Sequence, residues 1–588
     1  MTLRRPGLAT VLVAAALAAA LPAPASAATW WRLPVWGAEV RVFALDPWNP
    51  GELFCGTSRG NFYRSKDGGA SWEPPRPGPA FPGYVATGLV ADPKVPGHLY
   101  ATLAGQYGGG LVVVSDDGGA DWTVLARFRD TVATRALAVV PGEPTLVAIG
   151  GDDGVRLSRD GGVTWARTGT DTPGLVQVES LAFDPADPKV LYAGTWRQAF
   201  RTKDGGATWT RIADGMVLDA TVYAWDFDGG NPKDIWVSTC GWVYRSKDGG
   251  NRWTRFKTGF TNRRSHAVRR DPTRPGFVYA ATVGGLHRST DDGETWTRLS
   301  RESLVVTALE VDVRTGRLYV GTEGEGVFFS DDGGTTLVPG SNGLAEGRVS
   351  DIVADSNNPS RVFFFRAYAG EESGVWEAEG RSVRRVSLDM LPASASLAAF
   401  RGEIGQTVLV LSSSAGVRVS RDGGERWSAP EAPPPGVPVA LFGAPFATAV
   451  VVTTSGVFRS SADGREFAPV PGAPGAPEAA ELLIDPRGAP LLEVKSGRTL
   501  YRWSGERWSA RRQALLKRGL FLDETVTSTA GAWSSLQDVG GKLVWEDGGR
   551  RLSVTSPRSG LALASAAATP AGRLYVGTTG DGLFLFEP

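Results

Sequence analysis

The sequence predicts an all-β protein made of many copies of one small four-stranded sheet. Three observations support this fold class. One eight-residue turn motif recurs along most of the chain, most of its copies stand 41 to 50 residues apart, and short apolar runs with turn residues fill the intervals. Four strands in each period of about 40 to 45 residues are the sequence signature of a propeller blade. The composition agrees, since glycine (76 residues) and tryptophan (20 residues) are abundant in the chain of 588 residues.

The repeated motif follows the pattern Ser/Thr-x-Asp-x-Gly-x-x-Trp. Its first copy is Ser65–Trp72, which follows the apolar run at 61–64. A Gly-rich polar segment between two short apolar runs predicts a β-hairpin. Six further copies keep the tryptophan: Ser115–Trp122, Ser158–Trp165, Thr202–Trp209, Ser246–Trp253, Ser289–Trp296 and Ser420–Trp427. Degenerate copies occupy 330–337 and 461–467.

The residue types of the motif predict a structural turn. The hydroxyl and the carboxylate can accept hydrogen bonds from backbone N–H groups that the turn leaves unpaired. Glycine at the fifth position supplies a positive φ, and the tryptophan is expected to cover its hairpin with a large apolar ring. We therefore interpret the aspartates of the nine copies as structural residues: Asp67, Asp117, Asp160, Asp204, Asp248, Asp291, Asp332, Asp422 and Asp463.

A calcium loop is the alternative interpretation of these acidic turns. Tracts such as 116–119 and 331–334 place two aspartates before two glycines. An EF-hand loop, however, needs oxygen ligands at alternate positions and a distal glutamate, and neither is present. The sequence therefore predicts no metal site and no cofactor.

This motif resembles the Asp-box, or BNR repeat, of sialidases, two-propeller xyloglucan hydrolases, sortilin-type receptors and the photosystem II assembly factor family. The resemblance covers nearly all of the chain after residue 27. It implies that the boxes lie on blade hairpins at the periphery of a β-propeller, away from its working face. It therefore implies a fold much more specifically than an activity.

One repeat can be divided into strands directly. In the fourth repeat the inner strand is predicted at 178–183, the second at 190–195, the third at 199–202 and the outermost at 208–212. Asp-Pro turns follow the inner strand here and recur in other repeats. Alternation of short apolar strands with such turns predicts a four-stranded antiparallel meander.

Counting the repeats gives about thirteen four-stranded blades. The last unit, 561–586, lacks an outer strand, whereas 29–34 resembles an outer strand without its three partners. We therefore expect the N-terminal strand to complete the C-terminal blade, which would hide edge groups. Because single propellers commonly have four to eight blades, we predict two in tandem, with seven plus six blades. The predicted domains are 28–343 and 344–588. A seam near Arg301, with the last blade in the first ring, is the open alternative.

The first 27 residues have the pattern of a secretion signal. Arg4 and Arg5 precede an apolar segment at 7–21, and Ala25-Ser26-Ala27 provides small residues for cleavage. The apolar segment is short for a membrane span, and the cleavage point carries no cysteine for a lipid anchor. We therefore expect a secreted or periplasmic protein without a membrane span.

Charge and cysteine content exclude some partners. Lys+Arg and Asp+Glu both number 62, a balance that argues against nucleic acid and against a polybasic membrane contact. Cys55 and Cys240 occupy different repeat positions, so two buried free thiols are expected rather than a disulfide. The sequence gives no oligomeric state.

The resemblance to two glycosidase families implies catalytic residues that can be looked for in this sequence. Trp31-Arg32-Leu33-Pro34 resembles the sialidase Arg-Ile/Leu-Pro signature, but the same pattern at 296–299 identifies it as an outer strand. The xyloglucan hydrolases carry an Asp-Val-Gly-Gly-x-Tyr-Arg tract, and the equivalent stretch here, 56–64, contains no acid. A glycosidase needs two carboxylates across a cleft. We assign no catalytic residue.

The sequence contains no residue pattern typical of nucleophilic or metal-dependent catalysis. The three histidines, His98, His266 and His287, have no paired-ligand spacing. His287 occupies the third-strand position that Tyr63 and Tyr244 hold in other repeats, which predicts a packing role.

A ligand-binding surface is predicted on the loops between second and third strands and between blades. Propeller ligands usually lie over the mouth of the channel, and exposed aromatic and guanidinium groups suit sugars, acidic peptides or protein surfaces. Arg269 and Arg270 enter the sixth inner strand where the fourth repeat has Ala182 and Phe183. With Arg263 and Arg264 they are predicted to form an anion-favouring patch. The candidate ligand-binding residues are Tyr107, Trp196, Arg197, Trp242, Arg263, Arg264, Arg269 and Arg270.

The sequence therefore favours an exported scaffold that binds a protein or a glycan. Glycoside hydrolysis of the two-propeller xyloglucanase type is the alternative, and sialidase activity is the weaker one.

Overall fold

A computed structural model supplies the coordinates of the chain. The residues it describes are 29–73, 81, 83–106, 108–128, 133–142, 145–217, 220–344, 346–355, 357–367, 373–387, 391, 395–443, 448–484, 490–497, 499–505, 507–512, 525–529, 532–539, 542–547, 550–555, 563–569, 573–578 and 582–587. The predicted secretion signal lies outside these residues. All regular elements within them are β-strands, as the sequence predicted. No helix in this part of the chain is long and apolar enough to cross a membrane.

The first seven sheets follow the chain in order, and each is an antiparallel meander. Their strands are β2 (Val40–Leu45), β3 (Leu53–Thr57), β4 (Phe62–Ser65); β5 (Tyr84–Ala91), β6 (Leu99–Gly105), β7 (Gly110–Ser115), β8 (Thr123–Phe128); β9 (Thr134–Val140), β10 (Leu146–Gly151), β11 (Gly154–Ser158), β12 (Ala166–Thr168); β13 (Val178–Phe183), β14 (Leu191–Thr195), β15 (Ala199–Thr202), β16 (Thr210–Arg211); β17 (Val222–Phe227), β18 (Ile235–Thr239), β19 (Trp242–Ser246), β20 (Thr254–Phe256); β21 (Ser265–Arg270), β22 (Val278–Thr282), β23 (Gly285–Ser289), β24 (Thr297–Arg298); and β25 (Val306–Val311), β26 (Leu318–Thr322), β27 (Val327–Ser330), β28 (Val338–Pro339).

Six further sheets complete the described chain, and the last one includes the N-terminal strand β1 (Thr29–Arg32). Their strands are β29 (Arg348–Ala354), β30 (Arg361–Ala367), β31 (Gly374–Glu379), β32 (Ser382–Arg385); β33 (Ser396–Arg401), β34 (Thr407–Ser413), β35 (Gly416–Ser420); β36 (Pro438–Phe442), β37 (Val450–Thr453), β38 (Gly456–Ser460), β39 (Phe467–Pro469); β40 (Ala479–Ile484), β41 (Pro490–Ser496), β42 (Thr499–Trp503), β43 (Trp508–Arg512); β44 (Thr525–Thr529), β45 (Ala532–Val539), β46 (Lys542–Asp547), β47 (Arg550–Thr555); and β48 (Leu563–Ala568), β49 (Leu574–Thr578), β50 (Leu583–Glu587).

The fourth sheet shows why these segments form strands. β14 (Leu-Tyr-Ala-Gly-Thr) is mostly apolar and is buried at all five positions, because neighbouring sheets cover both of its faces. The outer strand β16 is exposed and has only two residues, so it is shorter than the predicted 208–212. The turn after β13 is held by Asp184, whose Oδ1 accepts a hydrogen bond from the N–H of Ala186 (2.8 Å). The predicted division of the repeat is therefore confirmed, apart from the length of its last strand.

The N-terminal strand completes the last sheet, as predicted. β1 pairs antiparallel with β50, and Thr29 lies opposite Glu587. The inner strand β48 of this sheet packs against β29 and β44. Residues 29–32 therefore lie with the later sheets, although the predicted first domain began at residue 28.

The inner strands of the first seven sheets form a closed ring. β2 contacts β5, each following inner strand (β9, β13, β17, β21) contacts the next, and β25 contacts β2 again. In the later group β29 contacts β33, β33 contacts β36 and β36 contacts β40. Hereafter the seven-sheet ring means β2 to β28. The division of the chain into two propellers at 343/344 remains our proposal.

The box motif forms the same hydrogen-bonded turn in eight of its nine copies. In the ninth, Ser461 Oγ donates to Asp463 Oδ1 but accepts from the N–H of Glu466 rather than of a glycine. In the first, Ser65 Oγ donates to Asp67 Oδ1 (2.8 Å) and accepts from the N–H of Gly69 (2.9 Å), while Asp67 Oδ1 accepts from the N–H of Ser71 (2.9 Å). The hydroxyl-to-aspartate bond recurs at 2.6 to 2.9 Å in each of the others. Gly69 has φ +85°, as predicted. These bonds assign a structural role to the nine aspartates.

The box tryptophans connect neighbouring sheets as well as covering their own hairpins. Trp122, Trp165 and Trp427 each donate the indole N–H to a carbonyl of their own box. Trp253 and Trp72 instead reach another sheet, donating to the carbonyl of Ile212 (2.7 Å) and of Gly340 (2.7 Å). The sequence predicted that the tryptophan covers its own hairpin, and the additional bond from Trp72 and Trp253 to another sheet was not predicted.

Trp72 closes the seven-sheet ring. Its backbone N–H donates to the carbonyl of Asn342 (2.7 Å), and Ser71 and Asn342 are partners in a parallel β-bridge. The same backbone bond joins Trp253 to Asp214 and Trp296 to Thr258. The link between first and seventh sheets therefore has the geometry that joins consecutive sheets elsewhere.

Neither cysteine is in a disulfide, as expected. Cys55 is fully buried, whereas Cys240 is only partly buried, which differs from the prediction of two buried thiols. The difference arises because Cys240 lies in the two-residue turn between β18 and β19, at the surface of the ring.

Candidate functional site

Each inner strand of the seven-sheet ring contains a β-bulge near its beginning. At this point the pairing with the second strand skips one residue, for example between Val178 and Ser180 in β13. A bulge re-aims a side chain away from the regular alternation of a strand. The skipped residues are Arg41, Thr87, Arg135, Glu179, Tyr223, His266 and Thr307.

These seven residues, one from each sheet, line a single cavity on the ring axis. The cavity has a volume of about 340 Å³, and its deeper wall includes Phe43, Leu181 and Trp225. We call the end of this channel that is formed by the seven bulge residues the mouth. The lining combines the polar bulge residues with apolar side chains and with the Arg269–Glu310 ion pair. Convergent polar groups in a cavity are typical of a binding site.

Most charged groups at the mouth are already paired. Arg135 contacts Asp152 (2.9 Å) and Glu179 (2.9 Å), and Arg41 contacts Glu39. Burial raises the pKa of Glu179, and Asp152 adds to the increase, whereas the Arg135 guanidinium opposes it. The mouth therefore offers carboxylate and guanidinium groups side by side, without a large excess of either charge.

His266 presents a defined hydrogen-bonding face. Its Nδ1 lies 3.0 Å from the carbonyl oxygen of Val306, so Nδ1 carries the proton and Nε2 is left as an acceptor in the neutral ring. Burial lowers the pKa of His266, which favours the neutral form at pH 7. The Tyr223 ring stands edge-on to it, with 6.1 Å between centroids.

The structure does not bring the four predicted patch arginines together. Arg269 lines the channel five positions beyond Arg264, about 16 Å along the strand, and it pairs with Glu310 (3.4 Å). Arg270 pairs with Asp226 (2.9 Å) and Asp228 (3.0 Å). These carboxylates compensate the charge of Arg269 and Arg270, so neither contributes free positive charge to the patch that the sequence suggested.

The other predicted residues lie on the mouth side of the ring, opposite the box hairpins. Trp196 and Arg197 occupy the β14–β15 loop, and Trp196 is 48% exposed. Arg263 and Arg264 are exposed in the β20–β21 loop, and neither has an ion-pair or hydrogen-bond partner for its guanidinium within the described chain. Tyr107 lies outside the described residues.

A line of hydrogen bonds connects these loops. Thr221 Oγ1 donates to the carbonyl of Trp196 (2.6 Å), and the N–H of Cys240 donates to the carbonyl of Thr221 (3.2 Å). Two residues later, the N–H of Trp242 donates to the carbonyl of Arg263 (2.7 Å). The structure therefore places the predicted aromatic and arginine residues of three consecutive sheets beside one another.

Trp242 has an unusual backbone conformation. It follows a two-residue turn, faces Thr239 across the hairpin and has φ +85°. The residue at the same position in four other hairpins is glycine, with φ between +107° and +151°: Gly154, Gly285, Gly416 and Gly456. A positive φ costs a residue as bulky as tryptophan about 1–3 kcal/mol, and residues strained in this way cluster at functional sites.

Two glutamates face each other beside the mouth. Glu39 and Glu323 are partners in an isolated antiparallel bridge between the first and seventh sheets. Directly opposed residues in such a bridge have Cβ atoms about 5 Å apart on the same side. Neither was a sequence candidate, because the two are distant in the chain and meet only where the ring closes.

The bulge residues were also missed by the sequence analysis. When the register of a strand is unknown, its residues can be assigned to the two faces of the sheet only by strict alternation. A bulge shifts that alternation by one residue. No local signal marks these positions, because a bulge depends on how the inner strand aligns with the second strand of its sheet. The sequence predicted instead the loops around the mouth.

Arg32, in the tract that resembles the sialidase signature, lies in the outer strand β1. Its guanidinium stands over the Phe584 ring, 5.7 Å from the centroid. This position agrees with the simpler interpretation of the tract as an outer strand.

A second cavity, of about 390 Å³, lies in the later group of sheets and is lined by residues that include Pro469, Val470, Pro471 and Trp503. Its charged lining residues are Arg459 and Glu466. The mouth is the better candidate site, because polar groups from seven sheets converge on it.

No protein-family model and no curated protein matches the chain. Solved structures resemble it along nearly its whole length. The GH74 xyloglucanase from Xanthomonas campestris is 18% identical, with a TM-score of 0.55, over 95% of this chain and 100% of that chain. An ancestral GH74 enzyme is 14% identical, with a TM-score of 0.68, over 95% and 99%. PorZ, a bacterial surface component of the type-IX secretion system of Porphyromonas gingivalis, is 13% identical, with a TM-score of 0.50, over 95% and 80%.

At these identities the comparisons show the fold alone. The chain has the propeller-type, all-β fold of these proteins. The Asp-box resemblance stands on the repeated residues and their turn geometry.

Proposed function

We propose that this protein is an exported scaffold that binds a protein or carbohydrate ligand at the mouth of the seven-sheet ring. The observation that carries the proposal is the convergence of seven bulge residues, one per sheet, on a single cavity. Each bulge turns one side chain out of the regular alternation of its strand, so the seven together bring seven polar side chains to one place. Export to the periplasm or the exterior rests on the N-terminal pattern and forms part of the proposal.

Glycoside hydrolysis is the second candidate. Two observations favour it: the fold is shared with GH74 enzymes, and Glu39 and Glu323 oppose each other beside the mouth. Inverting glycosidases place their two carboxyl groups about 6.5–9.5 Å apart, and retaining ones about 5–5.5 Å. Against this role, the Glu39 carboxylate is already paired with Arg41 in the folded chain.

One experiment separates the two functions. The purified chain is assayed against a panel of polysaccharides and surface proteins for both binding and release of reducing ends. The scaffold proposal predicts binding without turnover, and at least about tenfold weaker binding for Glu179→Ala and for His266→Ala. The hydrolase alternative predicts turnover that Glu39→Gln or Glu323→Gln abolishes. Turnover of this kind, or ligand binding that both mouth variants leave intact, contradicts the scaffold proposal.

A further inference from the structure

We infer that the mouth side of the ring carries a subsite for a carboxylated polysaccharide, built by Trp242 with Trp196, Arg263 and Arg264. This inference rests on the proposed function and specifies the ligand class for one part of the same face.

The first observation is the cost of Trp242. Four hairpins use glycine at the equivalent position, and glycine adopts a positive φ without steric cost, whereas Trp242 adopts one with a bulky side chain. The indole contacts Phe260 (6.1 Å between centroids), and its N–H donates to no described residue. A strained tryptophan whose polar group is unused in the folded chain is suited to contact something outside it.

The second observation is the uncompensated charge beside it. The four arginines on the inner strands of the ring all contact carboxylates: Arg41, Arg135, Arg269 and Arg270. Arg263 and Arg264 are exposed and make no such contact within the described chain. The Arg263 carbonyl accepts a hydrogen bond from the backbone N–H of Trp242. Guanidinium groups bind carboxylates through paired N–H donors, so these two residues favour an anionic ligand.

The combination favours a sugar polymer over a peptide. An extended peptide commonly binds by adding to an open strand edge. Trp196, Arg263 and Arg264 lie in loops, however, and Trp242 begins β19, which is paired on both sides. Indole faces pack well against the apolar C–H faces of pyranose rings, while the arginines bind the carboxylate of each uronic acid unit. Trp196 and Trp242 lie on consecutive sheets and can contact successive sugar units.

The test uses the full chain with polygalacturonate as probe. Binding is measured by affinity electrophoresis and calorimetry, with neutral galactan and poly-glutamate in parallel. We expect binding to polygalacturonate that weakens with salt, and about tenfold weaker binding for Trp242→Gly and for R263A/R264A. R252A/R255A removes two exposed arginine charges from the box hairpin and outer strand of the fifth sheet, at the end opposite the mouth, and its binding should stay within about twofold.

The thermal stability of Trp242→Gly distinguishes a binding role of Trp242 from a packing role. Since glycine fits the left-handed conformation, this variant should unfold at the same or a higher temperature while its binding falls. The inference is overturned if polygalacturonate does not bind, if poly-glutamate binds as tightly, if Trp242→Gly binds normally, or if R252A/R255A loses as much affinity. Binding of poly-glutamate that Glu179→Ala and His266→Ala weaken would overturn the inference and leave the scaffold proposal standing.

Discussion

At the residue scale, equivalent positions in different repeats carry different side chains. His287 lies opposite Ala280 as Tyr63 lies opposite Cys55 and Tyr244 opposite Val237, which confirms the third-strand equivalence. The His287 side chain is fully buried against Phe260 (5.0 Å between centroids). Burial lowers the pKa of His287 to about 4. This histidine is a packing residue whose titration is coupled to folding.

His287→Tyr should reduce the acid sensitivity of folding. Because the folded pKa lies below the unfolded value of about 6.5, stability is complete above pH 6.5 and falls as the pH drops towards 4. The loss is at most about 3 kcal/mol. Tyrosine, which does not titrate there, should flatten the pH dependence of urea unfolding between pH 7 and 4. An unchanged slope in the variant would contradict this assignment; His266, whose pKa burial also lowers, leaves a residual slope.

Residue roles were predictable where they depend on local turn chemistry. The nine box aspartates were identified as turn residues because serine, aspartate and glycine at fixed spacing have a local reason to be there. Arg269 and Arg270 were misjudged because their partners, Glu310 and Asp226, come from other sheets. The charge balance of a channel depends on which strands are neighbours around the ring, and a single repeat does not contain that information.

At the element scale, the contact between consecutive sheets depends on a tryptophan and a glycine. Gly343 has φ +92°, and a Cβ atom there would lie 2.0 Å from the carbonyl oxygen of Trp72. Gly215 and Gly259 stand in the same relation to Trp253 and Trp296, at 2.1 and 1.9 Å. The box and the loop that it contacts therefore form one unit across two sheets.

Gly343→Ala should destabilise the chain strongly, and Gly423→Ala provides the matched control. Gly423 also has a positive φ, +76°, but a Cβ atom there meets nothing within 4 Å. The control should lose about 1–2 kcal/mol through its backbone conformation alone. Gly343→Ala should lose at least about 3 kcal/mol, because the Trp72 carbonyl must also move. Equal urea midpoints for the two variants would show that this contact does not hold the sheets together.

Strand order within a repeat was predictable, but the bulges were not. The order of strands in the fourth sheet followed from apolar runs and Asp-Pro turns. The bulge at Glu179 leaves no local mark, because it depends on how β13 aligns with β14. For this reason the loops around the mouth could be predicted from the sequence, whereas the residues that line the mouth could not.

At the scale of the whole molecule, the proposed binding site depends on ring closure. The mouth requires the first and seventh sheets to meet, since Arg41 belongs to the first and Thr307 to the seventh. The period of the repeats predicted blades, and the incomplete terminal units predicted the pairing of β1 with β50. The partner of the first box, the loop at 340–343, could not be predicted, because repeats far apart in the chain are brought together only by the curvature of the ring.

Cross-linking by S71C/N342C is the most direct test of this closure. Partners in a β-bridge lie about 5 Å apart between Cα atoms, which is within the range for a disulfide. The closed ring predicts that mild oxidation links the two introduced cysteines within one chain and raises the unfolding temperature. S71C/N251C, which places the second cysteine on the box hairpin of the fifth sheet, should stay reduced. Failure of S71C/N342C to form the intrachain link, with the folded chain intact, would contradict the ring and the mouth that depends on it.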